Sequence, residues 1–196
     1  DIDAADTSEM VVQKVFRNIM DGLQDTLKLL DYAAIERAAL LIRSARRIAV
    51  YGFGNSATVC RDIETRFLRF GMVVQAYSDA HQQATSASLL TGKDVVIAVS
   101  HTGATLELLD TVRTARAAGA AVIIITSHVH SPLAKLGDIV LHGMGREVHY
   151  SSEAVSSRLI HMAITDALYT VIAMQSPKDY RRNLQKMRAV IAKKRT

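Results

Sequence analysis

The sequence predicts a doubly wound α/β sandwich, about five parallel strands in one sheet with helices on both faces. Three observations carry that expectation. Five short runs are apolar and mostly β-branched: Ile48-Ala-Val-Tyr51, Val73-Val-Gln-Ala76, Val95-Val-Ile-Ala-Val99, Val122-Ile-Ile-Ile-Thr126 and Asp138-Ile-Val-Leu-His142. They are continuous where a half-exposed strand would alternate, so both faces of each strand are covered. Segments of helical spacing lie between them and supply the crossovers that parallel neighbours require.

The elements follow in order. Val11, Val12, Val15, Phe16, Ile19, Leu23, Leu27 and Leu30 recur at steps of three and four and predict one long amphipathic helix. Asp31 is a suitable N-cap for a second helix through Ile35, Ala38, Ala39 and Ile42. After the first strand, Ser56 to Phe70 reads as helix. A helix from about Gln82 to Leu90 leads into the third strand, and one from Leu106 to Ala118 joins the third to the fourth. A short helical turn near Leu133 precedes the fifth. The last long helix, about Glu153 to Met174, carries Val155, Leu159, Ile160, Ala163, Ile164, Leu168, Val171 and Ile172 nearly all round. Such a helix is buried, in this core or against a second subunit. Tyr180, Leu184, Met187 and Ile191 then mark a terminal amphipathic helix.

With 196 residues and no repeat or Pro/Gly linker, the chain reads as one domain. Helices over 1–45 pack on an α/β core over 46–175, and a basic helix occupies 177–196. A composition of 49% hydrophobic and 22% charged residues belongs to an ordered globular chain. There is no apolar run of membrane-spanning length, and the opening Asp1-Ile-Asp-Ala-Ala-Asp6 lacks the pattern of a secretory leader. A cytoplasmic location is expected. The single cysteine, Cys60, excludes an internal disulfide and reads as a packed residue on a helix. Net charge is +5, but eight of the 24 Lys and Arg and one of the 19 acids lie after position 177. The preceding 177 residues therefore hold 16 basic and 18 acidic side chains, so the body of the domain is not a basic, nucleic-acid-binding surface.

Chemistry concentrates at two predicted strand ends. The first strand runs into Gly52-Phe53-Gly54-Asn55-Ser56, the third into Ser100-His101-Thr102-Gly103-Ala104-Thr105, and a helix follows each. Ligands of such folds sit outside the carboxyl ends of the strands. Glycine lets backbone come close, hydroxyls donate, and a helix N-terminus offers unpaired N–H groups and about half a positive charge. Together they make a phosphate cradle without Lys or Arg. Turn and cap chemistry alone also accounts for either loop taken singly. Gly52-x-Gly54-x-x-Ala57 with Asp79 satisfies a loose dinucleotide fingerprint, in which the second loop has no role.

With these residues in view, the chain resembles a sugar isomerase (SIS) domain, and more closely the C-terminal effector domain of RpiR/MurR-type bacterial transcription regulators. The resemblance is carried by Gly52–Ser56, Asp79-Ala-His81, Ser100–Thr105 with Glu107, Ser131-Pro-Leu-Ala-Lys135, Ser152-Glu-Ala-Val-Ser-Ser-Arg158 and Asp166-Ala-Leu168, collinear from about Val11 to Met174. Thr102 departs from the usual Ser-x-Ser-Gly, keeping the hydroxyl and adding a methyl. The resemblance implies a flavodoxin-like sandwich and a sugar-phosphate ligand. The phosphate would lie among Ser100, Thr102 and Thr105 with Ser56, and Gly54, Asn55, His101 and Gly103 complete the two loops. Glu153 would help form the sugar pocket, from a neighbouring subunit of a homodimer or tetramer, and His81 is a further candidate. First-turn capping for Glu153 and ordinary packing for His81 and His101 are the plain alternatives; Arg158 could pair the phosphate, Glu153 or another acid.

The resemblance further implies DNA contact only through an N-terminal helix-turn-helix domain, which this chain lacks; its opening fits a piece that begins at the linker. The expected function is sugar-phosphate sensing and oligomerisation in a transcription regulator, with no catalytic residue, metal, cofactor or membrane partner. The alternative is an aldose–ketose phosphate isomerase, which needs a base such as Glu153 or His81.

Overall fold

In the computed structural model, which describes residues 2–145 and 155–193, the five strands are β1 (Ile48–Tyr51), β2 (Val74–Tyr77), β3 (Val95–Ser100), β4 (Ala121–Thr126) and β5 (Ile139–His142). They form one all-parallel sheet in the order β2-β1-β3-β4-β5. Seven helices surround it: α1 (Ser8–Leu29), α2 (Tyr32–Ser44), α3 (Asn55–Phe67), α4 (Ala80–Ser88), α5 (Leu106–Ala117), α6 (Val155–Gln175) and α7 (Pro177–Ala192). Among the described residues, no helix is long and apolar enough to cross a membrane.

Alternate strand residues feed two cores. Ile48, Val50, Val95, Ile97, Val99, Ile123, Ile125 and Leu141 pack under α2, α3 and α6. Ala49, Tyr51, Val96, Ala98, Val122 and Ile124 pack under α4 and α5. Both faces are covered, which explains why the strands read as unbroken apolar runs. The α6 residues Ile160, Ile164, Leu168 and Ile172 are each at most 2% exposed. That face of the helix is therefore spent within its own chain.

Several boundaries differ from the sequence reading, for local reasons. The helix expected to reach Phe70 leaves α geometry at Phe67, makes a 3₁₀ turn over Leu68–Phe70 and stops on Gly71, whose φ is 77°. The second strand starts one residue late, with Val73 67% exposed, and ends at Tyr77 paired with Tyr51. The fourth helix starts two residues early because Asp79 caps it, accepting the Gln82 N–H at 2.9 Å. Asp79 is thereby committed to the backbone, not to a ribose. Cys60 is 1% exposed and burial pushes its thiol pKa up, as a packed residue requires.

The base of β3 is anchored by a buried carboxylate. Asp94 accepts Arg46 Nε at 3.0 Å and Nη2 at 2.8 Å, and the Thr91 N–H at 2.8 Å, while its side chain is 0% exposed. Burial alone would raise its pKa, but Arg46 and the Thr91 donors outweigh that and hold the carboxyl at about 2. Because the folded pKa lies below the unfolded one, this stabilisation is complete above about pH 4 and lost as the pH falls towards 2. Asp94→Asn is expected to cost roughly 2 kcal/mol, read as a lower urea midpoint at pH 7 that converges on the wild-type value near pH 2.

Candidate functional site

The two glycine-hydroxyl loops meet where the strand order reverses. β1 has β2 on one side and β3 on the other. α3 leaves β1 towards one face of the sheet and α5 leaves β3 towards the other, so their N-termini part around a crevice. The crevice is a cleft of about 410 Å³. Gly54, Asn55 and Ser56 line it from the first loop and Ser100, His101, Thr102 and Thr105 from the second, against apolar Phe53, Val99 and Leu108. Phe53 and Leu108 were not singled out in the sequence. Among the described residues, none of those lining the cleft is Lys or Arg.

The helix ends at this cleft differ from three of the others. Thr7 caps α1, Asp31 caps α2 and Asp79 caps α4, each side chain accepting a first-turn N–H at 2.9–3.3 Å. The N-caps of α3 and α5 are Gly54 and Thr105, and neither makes a side-chain cap bond. The Ser56 and Ala57 N–H groups of α3 turn back to the Phe53 and Gly54 carbonyls at 3.0 and 3.1 Å, so α5, whose N-cap makes no side-chain bond, offers the freer helix N-terminus for an anion.

The second loop is built around its own hydroxyls. Gly103 N–H donates to Ser100 Oγ at 3.0 Å, and Ala104 N–H donates to Thr102 Oγ1 at 3.4 Å. Both oxygens accept from the loop, which leaves each hydroxyl hydrogen to donate into the cleft. Gly103 does not line the cleft but shapes it. Its φ is 63°, and a Cβ there would lie 2.6 Å from Ser131 Cβ.

Beneath the loop lies a polar layer that the sequence reading missed. His101 is 7% exposed, and its Nδ1 hydrogen-bonds Ser157 Oγ at 2.8 Å, tying the loop to the first turns of α6. The His101 carbonyl accepts Thr126 Oγ1 at 3.2 Å, Ser127 N–H at 3.2 Å and His128 Nδ1 at 3.0 Å. His161, 1% exposed, hydrogen-bonds the Gly143 backbone and meets Ser127 Oγ through Nε2 at 3.1 Å. Burial first, then the neighbouring His101 and His142, pushes the His161 pKa down to about 3. The ring is neutral at any ordinary pH. Ser157, His161 and Thr165 recur every four residues and are each 1% exposed, a polar stripe on an otherwise apolar helix. That spacing was the available signal.

Asn55, Ser56, His101, Ser157, Arg158 and His161 also close a small crevice beside the cleft, so Arg158 stands next to both loops. His81 lies exposed on the first turn of α4 and is not among the residues lining the cleft. Glu153 falls outside the described residues. Lys135 is exposed. Among the described residues, no three His, Cys, Asp or Glu side chains group as a metal site would need.

The SIS domain family matches residues 41–171. The chain is 35% identical over 181 residues to the HTH-type transcriptional regulator RpiR of Escherichia coli K12, covering 92% of this chain and 61% of that protein. It is 31% identical over 192 residues to an uncharacterised HTH-type transcriptional regulator of Thermotoga maritima, covering 98% of this chain and 68% of the relative. Its structure is similar to the NanR protein of Vibrio vulnificus, solved in complex with ManNAc-6P, with a TM-score of 0.87 and 27% identity over 96% of this chain and 70% of that one.

Proposed function

The chain belongs to the SIS domain family, and from that premise we propose that it is the sugar-phosphate-sensing, oligomerising effector domain of a bacterial transcription regulator. One observation carries the reading. Two helix N-termini without side-chain caps converge, with the hydroxyls of Ser56, Ser100, Thr102 and Thr105, on a cleft whose described lining residues include no Lys or Arg. Neutral dipoles hold a phosphate and also release it, as reversible sensing requires. The cleft volume of about 410 Å³ suits a phosphorylated sugar, the class to which the NanR ligand belongs. The phosphate would take the α5 N-terminus with Ser100, Thr102 and Thr105, and Ser56, Asn55 and Gly54 would close on it from the first loop. Glu153 is assigned to the sugar hydroxyls.

Regulation requires that the ligand bind one arrangement of the assembled protein better than another. DNA contact is assigned to a helix-turn-helix domain of the kind that names the HTH-type relatives, and the site of action to the cytoplasm. No catalytic role is assigned. Isomerisation needs a base beside adjacent sugar carbons, and the one titratable side chain among the described lining residues is His101, already hydrogen-bonded to Ser157.

Ser100→Ala and Thr102→Ala test the site. Each removes a hydrogen bond to a charged group, worth roughly 1.5–3 kcal/mol, so calorimetry should find affinity for a sugar phosphate about 10- to 150-fold weaker. The circular dichroism spectrum should be unchanged. Wild-type affinity in both variants would put the ligand elsewhere.

A further inference from the structure

The charge of the chain is segregated, with 16 basic and 18 acidic side chains before position 178 and eight basic and one acidic after it begins. Helix α7 turns that excess to one side. At about 100° per residue, Lys178, Arg181, Arg182, Lys186, Arg188 and the C-cap Lys193 fall within roughly a 160° sector, with Gln185 and Ala189 between them. All six cations are exposed. The opposite face is held against the body. The Tyr180 ring lies 5.6 Å from that of Phe70, its hydroxyl accepts the Tyr169 hydroxyl at 3.3 Å, and Asn183 Nδ2 donates to the Phe70 carbonyl at 2.8 Å. These contacts fix the rotation of the helix and keep the cations outward. Elsewhere acids answer the cations: Asp94 meets Arg46 at 2.8 Å, Asp166 meets Arg66 at 2.8 Å and Asp138 meets Arg116 at 3.0 Å. On α7, among the described residues, Arg182 pairs with Asp179 at 2.8 Å and the other cations make no ion pair.

We propose that this face lies along the phosphate backbone of duplex DNA as a sequence-independent contact. It rests on the regulator reading, since an effector domain tethered beside DNA turns a weak contact into an effectively intramolecular one. Lys178 to Lys193 spans roughly 22 Å along the helix axis. A strand of duplex DNA presents a phosphate about every 3.4 Å of its axis, so about six face a stripe of that length. Single-stranded nucleic acid calls for aromatic platforms, and the cationic sector holds none. An anionic membrane calls for free apolar surface beside the cations. Tyr180, Leu184 and Met187 of α7 are half-buried against the body, which leaves Val190 and Ile191 of the last turn exposed. Contacts of this kind position a protein on DNA without reading bases, so sequence recognition stays with the helix-turn-helix domain.

Fluorescence anisotropy of a labelled duplex of arbitrary sequence, titrated with the whole 196-residue chain, tests the contact. A dissociation constant of roughly 1–100 μM is expected at physiological salt, with log affinity falling against log salt at a slope of about −4. Arg181→Gln combined with Arg182→Gln should weaken binding at least 10-fold and make the slope shallower by about 2, with an unchanged circular dichroism spectrum. Lys93→Gln combined with Lys135→Gln removes the same charge from exposed positions elsewhere and should leave affinity and slope as they were. A wild-type chain that does not bind the duplex overturns the proposal. Equal weakening by the two double variants also overturns it, because the attraction would then belong to the whole charge. So does tighter binding, at the same salt, to phosphatidylglycerol vesicles or to the single strand. Sugar-phosphate affinity of the same wild-type chain separates the two readings. Duplex binding without sugar-phosphate binding sinks the cleft, and the converse sinks the contact through α7.

Discussion

Gly103→Ala is expected to abolish measurable sugar-phosphate binding and to lower stability by about 2–5 kcal/mol, the sum of left-handed backbone strain and overpacking. The backbone at Gly103 has φ 63°, and the added methyl would meet Ser131 Oγ, Ser131 Cβ at 2.6 Å and Thr126 Oγ1 at 3.3 Å. Ser131 cannot retreat easily. It is 7% exposed, its Oγ accepts the Ala134 N–H at 3.2 Å, and the Gly103 carbonyl accepts the Leu133 N–H at 3.0 Å. Relief must come from the loop, which carries Ser100 and Thr102 with it. Thermal unfolding should shift down by about 4–20 °C for a chain of this size. Affinity should fall further than in Ser100→Ala alone. Combining the change with Ser131→Gly removes the clash but not the strain, and should restore part of the stability. Gly54 supplies the contrast: its φ is 53°, but nothing lies within 4 Å of the added carbon. Gly54→Ala should cost only about 1–2 kcal/mol. Equal effects at the two glycines would contradict the packing described for the second loop.

Stability is expected to fall steeply as the solution is acidified from pH 6.5, through His161. Its folded pKa of about 3 lies below the ordinary 6.5, so between those values the unfolded chain takes up a proton that the folded chain refuses. Folding loses about 1.4 kcal/mol per pH unit in that window from this residue, and nothing from it above pH 7. Urea unfolding at pH 7 and pH 5 should therefore differ by about 2 kcal/mol more in the wild type than in His161→Gln. An equal difference in the two proteins would mean that the ring is protonated in the fold. The consequence for the cleft is direct. A neutral His161 can accept the Ser127 hydroxyl while Ser127 N–H holds the His101 carbonyl, so the layer under the loop stays in one hydrogen-bonded arrangement.

The sheet and the two loops were legible because their signals are local. Continuous Val and Ile runs mark strands buried on both faces, and glycine with hydroxyls at a strand end marks a ligand turn wherever the strand order places it. The strand order itself followed only by analogy, since sequence does not state which strands pair. The polar layer was not legible. Ser157, His161 and Thr165 lie among so many apolar residues that α6 read as hydrophobic nearly all round, and their common face appears only at a spacing of four. Ser127 and His128 follow β4 and meet His101, and His142 ends β5 and meets the Ser127 carbonyl, only through the parallel register. His81 was drawn in by its neighbours in the sequence, yet the capping of α4 by Asp79 leaves it exposed and away from the cleft lining. The amphipathic pattern of α1 was visible, but which part of it α6 uses was settled only once Gly22 and Thr26 were placed as its buried residues.

The central claim is that a cleft of neutral dipoles between β1 and β3 holds a sugar phosphate without converting it. The most direct measurement is the phosphorus NMR spectrum of a hexose 6-phosphate mixed with the whole chain. A shifted, broadened phosphate resonance is expected, unchanged on standing and restored to its free position with Ser100→Ala and Thr102→Ala combined. A new resonance that grows with time and with protein, and that disappears in Glu153→Gln, would contradict the claim and make the chain an isomerase.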